Sequence, residues 1–172
     1  ATSLDEILAE NLDHVDDVVR VCKRVGATWP KKHTKLLTLF EVADFVDALR
    51  PRAARGDAEA QYYVANHLAE DGLDRDDAEA VRLYRLAADQ GHAAAQFSLG
   101  CMYTEGCGVA RDDAEAVRLY RLATEQGDAV AQCNLGVMYQ QGRGVARDHA
   151  EAVRLFRLAA DQGYAVAQYN LG

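Results

Sequence analysis

Histidine and cysteine are the side chains here that could hold a metal or attack a substrate: His14, His33, His67, His92 and His149, with Cys22, Cys101, Cys107 and Cys133. Their spacing lacks the patterns such chemistry needs. A catalytic zinc helix sets two histidines at i and i+4 around an acid, and structural zinc draws on closely paired cysteines. Neither pattern occurs. No Ser or Cys stands in the glycine elbow that exposes a nucleophile. The GCG of residues 106 to 108 matches turn glycines in a later copy, where Arg143 replaces Cys107, and a GxG after a helix is too short for a dinucleotide loop. The expectation is no catalytic residue, no metal and no cofactor, with the cysteines as unpaired thiols. A Cys101–Cys107 bridge stays open if the intervening loop folds back.

Recognition is the chemistry that remains. Arg82, Arg118 and Arg154 recur every 36 residues, as do Arg85, Arg121 and Arg157, and Leu86, Leu122 and Leu158. On a helix, each arginine of the first set lies one turn after Glu79, Glu115 or Glu151, so solvated pairs worth only a few tenths of a kcal/mol would account for them. Three leucines amid charge are harder to leave uncovered. A peptide or helix with acidic and apolar residues would suit such a face, the arginines meeting carboxylates and the leucines its apolar side.

Composition narrows the partner. The 172 residues carry a net charge of -8, whose field disfavours nucleic acid and anionic bilayers. No apolar run approaches the roughly 18 residues of a membrane span, and the N-terminus lacks a basic segment leading into an apolar one. A soluble intracellular chain is favoured on these grounds. The first residue is Ala1, so a secreted or organellar address stays open.

The elements that position the recurring residues follow from the repeat itself. Residues 78 to 112 and 114 to 148 align without a gap and are identical at 25 of 35 positions. Each unit reads as two helices. The first opens on Asp76, Asp112 or Asp148 as N-cap with Glu79, Glu115 or Glu151 three residues on, the pattern of a capping box. It closes at Gly91, Gly127 or Gly163 as a left-handed cap. Its buried stripe holds Tyr84 with Ala80, Val81, Ala87 and Ala88. The second helix buries Leu99, Ala95, Met102 and Tyr103 and ends at a GxG loop.

A mid-helix glycine, repeated as Gly100, Gly136 and Gly172, costs about 0.5 to 1 kcal/mol against alanine. Its recurrence implies a neighbouring helix too close for a Cβ. The positions that vary between copies, among them Phe97, Cys101, Cys133, Val137 and Tyr169, fall opposite Leu99. They either pack on the adjacent unit or form an outer contact.

Ahead of the repeats, Ser3 caps an amphipathic helix over 3–26, expected to pack as a cap on the first unit or to meet a partner. Gly26, Trp29 and Pro30 break it. A second helix is predicted over Thr34 to Leu49. The lysines, Lys23, Lys31, Lys32 and Lys35, all lie in this region and read as a solvated segment or a phosphate site. Pro51 interrupts the copy before Ala60.

The stretch AVRLYRLAADQGHAAAQFSLGCMYTEGCGVARDD, with its alanine pair, turn glycine, A…LG..Y segment and G.GV..D loop, resembles Sel1-like repeats, relatives of the tetratricopeptide repeat. That resemblance implies an all-α fold, an α/α solenoid of hairpins stacked in a right-handed superhelix, with the first helix of each unit on the concave side. The division is an N-terminal helical extension or cap over 1–42 and repeats over 43–172: a degenerate unit 43–76, units 77–112 and 113–148, and a partial unit 149–172. The family's cysteine-rich members tie hairpins near Ala88 and Ala95, whereas this chain has alanine at both and Thr124 and Ala131 at the next pair. Leu86, Leu122 and Leu158 replace a more usual polar residue.

The leading functional expectation is an interaction scaffold binding a protein or peptide along Arg82, Arg85, Leu86 and their counterparts. The alternatives are a regulatory or targeting repeat segment of a larger enzyme, and a structural subunit of a large assembly. The partial unit reaching Gly172 also suggests end-to-end self-association.

Overall fold

A computed structural model of the chain describes residues 39–70 and 75–171, with side chains from Val46 onward. The expected helix over 3–26, the lysine segment, Cys22, His14, His33 and Gly172 lie outside the described residues. Among the described residues, eight helices run in order: α1 Leu39–Ala54, α2 Ala58–Ala69, α3 Asp77–Asp89, α4 Ala93–Glu105, α5 Asp113–Glu125, α6 Ala129–Gln141, α7 His149–Asp161 and α8 Ala165–Leu171. Each packs chiefly on its neighbours in sequence, giving an all-α stack of hairpins. The pairs α2/α3, α4/α5 and α6/α7 are more extensively packed than α3/α4 and α5/α6.

Local chemistry explains the boundaries. Asp76, Asp112 and Asp148 accept backbone N–H bonds from the first turns of α3, α5 and α7, as a cap should. The second half of the expected capping box does not form. The N–H groups of Asp76, Asp112 and Asp148 already donate to the carbonyls of Leu68, Tyr103 and Tyr139 on the preceding helix. With no donor left to receive them, Glu79, Glu115 and Glu151 turn outward to arginine. Gly91, Gly127 and Gly163 close the same helices in the left-handed region, at φ 83 to 87°. Helix α1 passes through Pro51, which the sequence suggested as an interruption, and ends at Ala54. The missing N–H removes only the bond to Asp47, and the ring is exposed in the helix's last turn.

The stripe expected on the first helix of a unit is buried on α3. Ala80, Val81, Tyr84, Ala87 and Ala88 are all below 8% exposed. On α4, Ala95, Leu99 and Met102 are buried, and Tyr103 is half-buried at the edge. A methyl group on Gly100 would stand 2.6 Å from the Tyr120 ring, and one on Gly136 would stand 2.7 Å from Phe156. Close approach of the next helix is therefore the reason for these glycines. The face left open by sequence packs on that same helix: Phe97 and Tyr120 rings lie 5.9 Å apart, and Cys133 is 2% exposed. Gly108 and Gly144 each pair a left-handed φ of 65° with a backbone contact to the start of α3 or α5 that a side chain would block.

Buried glutamines tie the stack together. Gln61 and Gln96 donate to the Ala53 and Ala88 carbonyls at the end of the preceding helix, at 3.1 and 3.2 Å. Gln61, Gln96 and Gln132 accept in turn from Gln90, Gln126 and Gln162 at 2.8 to 2.9 Å. The Ala53 and Ala88 carbonyls, which also accept from the Gly56 and Gly91 N–H groups, thereby gain a second hydrogen bond away from water.

Candidate partner-binding surface

Helices α3, α5 and α7 carry the recurring arginines and leucines outward. Arg82, Arg118 and Arg154 have side chains 57, 56 and 56% exposed. Each grips its glutamate with both Nε and an Nη, at 2.6 to 2.9 Å. The hydrogen bonds from Arg82 and Arg154 hold the carboxyls of Glu79 and Glu151 below their ordinary range. The forks are bidentate, which fixes guanidinium orientation more than it adds stability at such exposure.

Arg85 and Arg121 take a different support. They donate to the phenol oxygens of Tyr103 and Tyr139 at 2.9 and 2.7 Å, and the Arg121 guanidinium lies 5.7 Å from the Tyr139 ring centre. Arg121 also acts on Glu151 of the following rung. Sequence reasoning placed Tyr103 on an inner helix face and missed this role. The available signal was the repeated interval of 18 residues between arginine and tyrosine. Arg157 is exposed.

The leucines divide. Leu86 and Leu158 are each 39% exposed, whereas Leu122 is half-buried. Two rungs therefore offer an apolar side chain among charges and the middle one offers less.

The thiols are unpaired at Cys101, Cys107 and Cys133. Burial pushes Cys101 up to about 11, and the Tyr120 hydroxyl donates to its sulfur at 3.4 Å, so this thiol is a packed group and a poor nucleophile. Among the described residues, no three of His, Cys, Asp and Glu converge on a point where an ion could sit. An open groove of about 640 Å³ lies over Arg52, Asp57, Glu59 and His92. Four of its polar groups are engaged in pairs: Arg52 bonds Asp57, and His92 bonds Glu59 at 2.9 Å while stacking on Tyr62 and capping α4.

Three consecutive segments, 58–92, 93–128 and 129–164, match the Sel1 repeat model. The chain belongs to the Sel1 repeat family. The model's boundaries and those read at 77, 113 and 149 cut one periodic chain half a unit apart, and the model's cut encloses the more extensively packed pairs. A Sel1 repeat protein from Oxalobacter formigenes is 39% identical, with a TM-score of 0.66 over 74% of this chain and 96% of its own. The c5321 protein, a protective antigen of uropathogenic Escherichia coli with an SLR fold, is 30% identical at a TM-score of 0.76. That match covers 97% of this chain and 35% of the antigen. Cysteine-rich protein B of Helicobacter pylori, 18% identical, shares the fold at a TM-score of 0.61, over 78% of this chain and 98% of its own. A comparison with curated proteins gives no match. Among the described residues no helix is long and apolar enough to cross a membrane.

Proposed function

We propose that this Sel1 repeat protein is an interaction scaffold whose partner, a peptide or helix with acidic and apolar residues, lies across the rungs of α3, α5 and α7. The reading rests on one observation above others: Leu86 and Leu158 remain 39% exposed at equivalent places among arginines that are already held in position. Arg82, Arg118 and Arg154 are oriented by glutamate, and Arg85 and Arg121 by tyrosine, so little side-chain freedom is lost when a carboxylate takes their remaining N–H groups. The proposal assigns the chain no catalytic step.

The test uses two variants, Leu86→Ser/Leu158→Ser and Arg85→Glu/Arg121→Glu/Arg157→Glu, expressed in the natural host. Both are expected to lose the co-purifying partner at least tenfold while their Tm stays within about 2 °C of the parent. A folded variant that keeps the partner overturns the surface, and unfolding of the leucine variant makes those leucines structural. A second reading is a repeat segment of a longer polypeptide that regulates or targets an enzyme. The mass of the natural polypeptide, and a catalytic domain on it, would favour that reading.

A further inference from the structure

The two arginine rows leave different charges on the surface. Arg82, Arg118 and Arg154 are each paired with a glutamate. Arg85 and Arg121 are held by phenol oxygens, which orient the guanidinium without cancelling its charge. This second row starts on α1. Gln61 and Gln96, 35 residues apart, bond the Ala53 and Ala88 carbonyls alike, and the same offset sets Arg50 at the place of Arg85. Arg50 is exposed beside Asp47. A line of cations, with exposed Leu86 among them, therefore begins on the first described helix.

The sequence ahead of α1 is the complement of that line. Residues 1–19 carry six of the chain's 27 carboxylate side chains, Asp5, Glu6, Glu10, Asp13, Asp16 and Asp17, and no Lys or Arg. Leu4, Leu8, Leu12, Val15 and Val19 recur at the helical period, with Asp5 and Asp16 at one border of the stripe and Glu10 beyond Ile7 at the other. This segment lies outside the described residues. A helix over 3–19, the pattern its sequence carries, is about 25 Å long. Helices packed about 8 to 10 Å apart put α3 and α5, separated by α4, within about 20 Å of each other. One such helix thus crosses two rungs, and the stretch from Arg20 to Thr38 reaches up to about 60 Å. Tethering raises the segment's effective concentration to the order of millimolar, so a contact too weak between separate molecules is populated within one.

We infer, resting on the partner surface proposed above, that residues 3–19 are themselves an occupant of the α3 and α5 rungs, the rungs nearest α1. Their carboxylates meet Arg85 and Arg121, their apolar stripe covers Leu86, and an external partner binds by displacing them. Arg157 on α7 stays open.

Phenylglyoxal modification of the full chain, followed by mass spectrometry, reads each arginine separately. Arg85 and Arg121 are expected to react about threefold or more slowly in the natural sequence than in the Asp5→Asn/Glu10→Gln/Asp16→Asn chain, with Arg157 unchanged between the two. Leu8→Ser/Leu12→Ser is expected to release the same two arginines. Equal rates at Arg85 and Arg121 in all three chains overturn the proposal. A Leu8→Ser/Leu12→Ser chain that melts lower with those rates unchanged also overturns it, because the segment then covers the first unit. Slow reaction that fades on dilution puts a second copy's segment on the rungs and overturns the intramolecular contact. Partner capture separates this contact from the scaffold reading. Equal rates with a partner still lost from the Arg85→Glu/Arg121→Glu/Arg157→Glu chain sink the contact alone, and slowed rates with no partner captured by either the natural or the acid-neutralised chain sink the scaffold alone.

Discussion

At Gly136 a single added methyl group would meet the Phe156 ring at 2.7 Å, and that ring is only 1% exposed, so it has nowhere to go. Alanine gains helix propensity worth up to about 1 kcal/mol, against an overpacking cost of about 1 to 3 kcal/mol. Gly136→Ala is therefore expected to lower stability by a net 1 to 2 kcal/mol, roughly, measured by urea denaturation. The double variant with Phe156→Leu should lose less than the sum of its parts if the ring is the cause. Thr124 gives the opposite sign. Its hydroxyl is buried without a hydrogen-bond partner, at a place where Ala88 and Ala160 stand in the flanking units. Thr124→Val removes that desolvated group and is expected to raise stability by about 1 kcal/mol, read from the same denaturation curves. The glycine's role was legible in the sequence because a costly residue recurred. The glutamines were not: Gln61 and Gln96 look like ordinary helix residues until the Ala53 and Ala88 carbonyls they donate to are in place.

Between elements, Asp113 shows how the loop after α6 is pinned to the start of α5. Arg111 reaches it from the residues just before α5 at 2.8 Å, and Arg143 reaches it from the loop after α6 at 2.8 Å. Hydrogen bonds from Arg111 first and Arg143 second hold the carboxyl down to about 2. A carboxyl whose folded-state pKa is depressed stabilises the fold above its unfolded pKa, near 4, and that contribution fades as pH falls from 4 toward 2. Arg143→Ala should raise the Asp113 pKa and shift the acid-unfolding midpoint to higher pH, with little change at pH 7 beyond the loss of one half-exposed pair. Circular dichroism across pH 2 to 6 reads the shift. Helix starts and stops were legible from aspartate and glycine. The fate of Glu79 was not, because the competing bond comes from Leu68 on another helix, and a pattern within one helix cannot register it. Tyr103 and Tyr139 escaped for a similar reason: their apolar edges joined the core while their hydroxyls reached the outer surface.

Across the whole molecule, the core is a chain of clusters rather than a single centre. One runs from Val46 to Leu119, a second gathers around Tyr120 and Leu135, and a third around Phe156. Such a stack draws its stability from each unit and its contacts with the next, so protection against opening depends on having cover on both sides. Hydrogen exchange should be slowest in α4 to α6 and fastest in α8, whose buried residue is Ala167 alone. Uniform exchange along the chain would contradict this picture. The periodic sequence was sufficient for the hairpin architecture, since every helix in it repeats one of two patterns. Which helix pairs pack more tightly was not readable, because the half-unit offset leaves the same residues on the same faces.

The nearest-neighbour packing also bears on how a gene of this kind can change. Excising 36 codons between Gly100 and Val137 would set Gly100 beneath Phe156, the same meeting of glycine and ring found in the parent. Losses or gains of one period leave every junction familiar. A deletion of half a period would instead bring two helices of one kind together, with glycine facing glycine and nothing to fill the gap. Unequal crossing-over between the near-identical copies can thus lengthen or shorten the stack in steps of one unit.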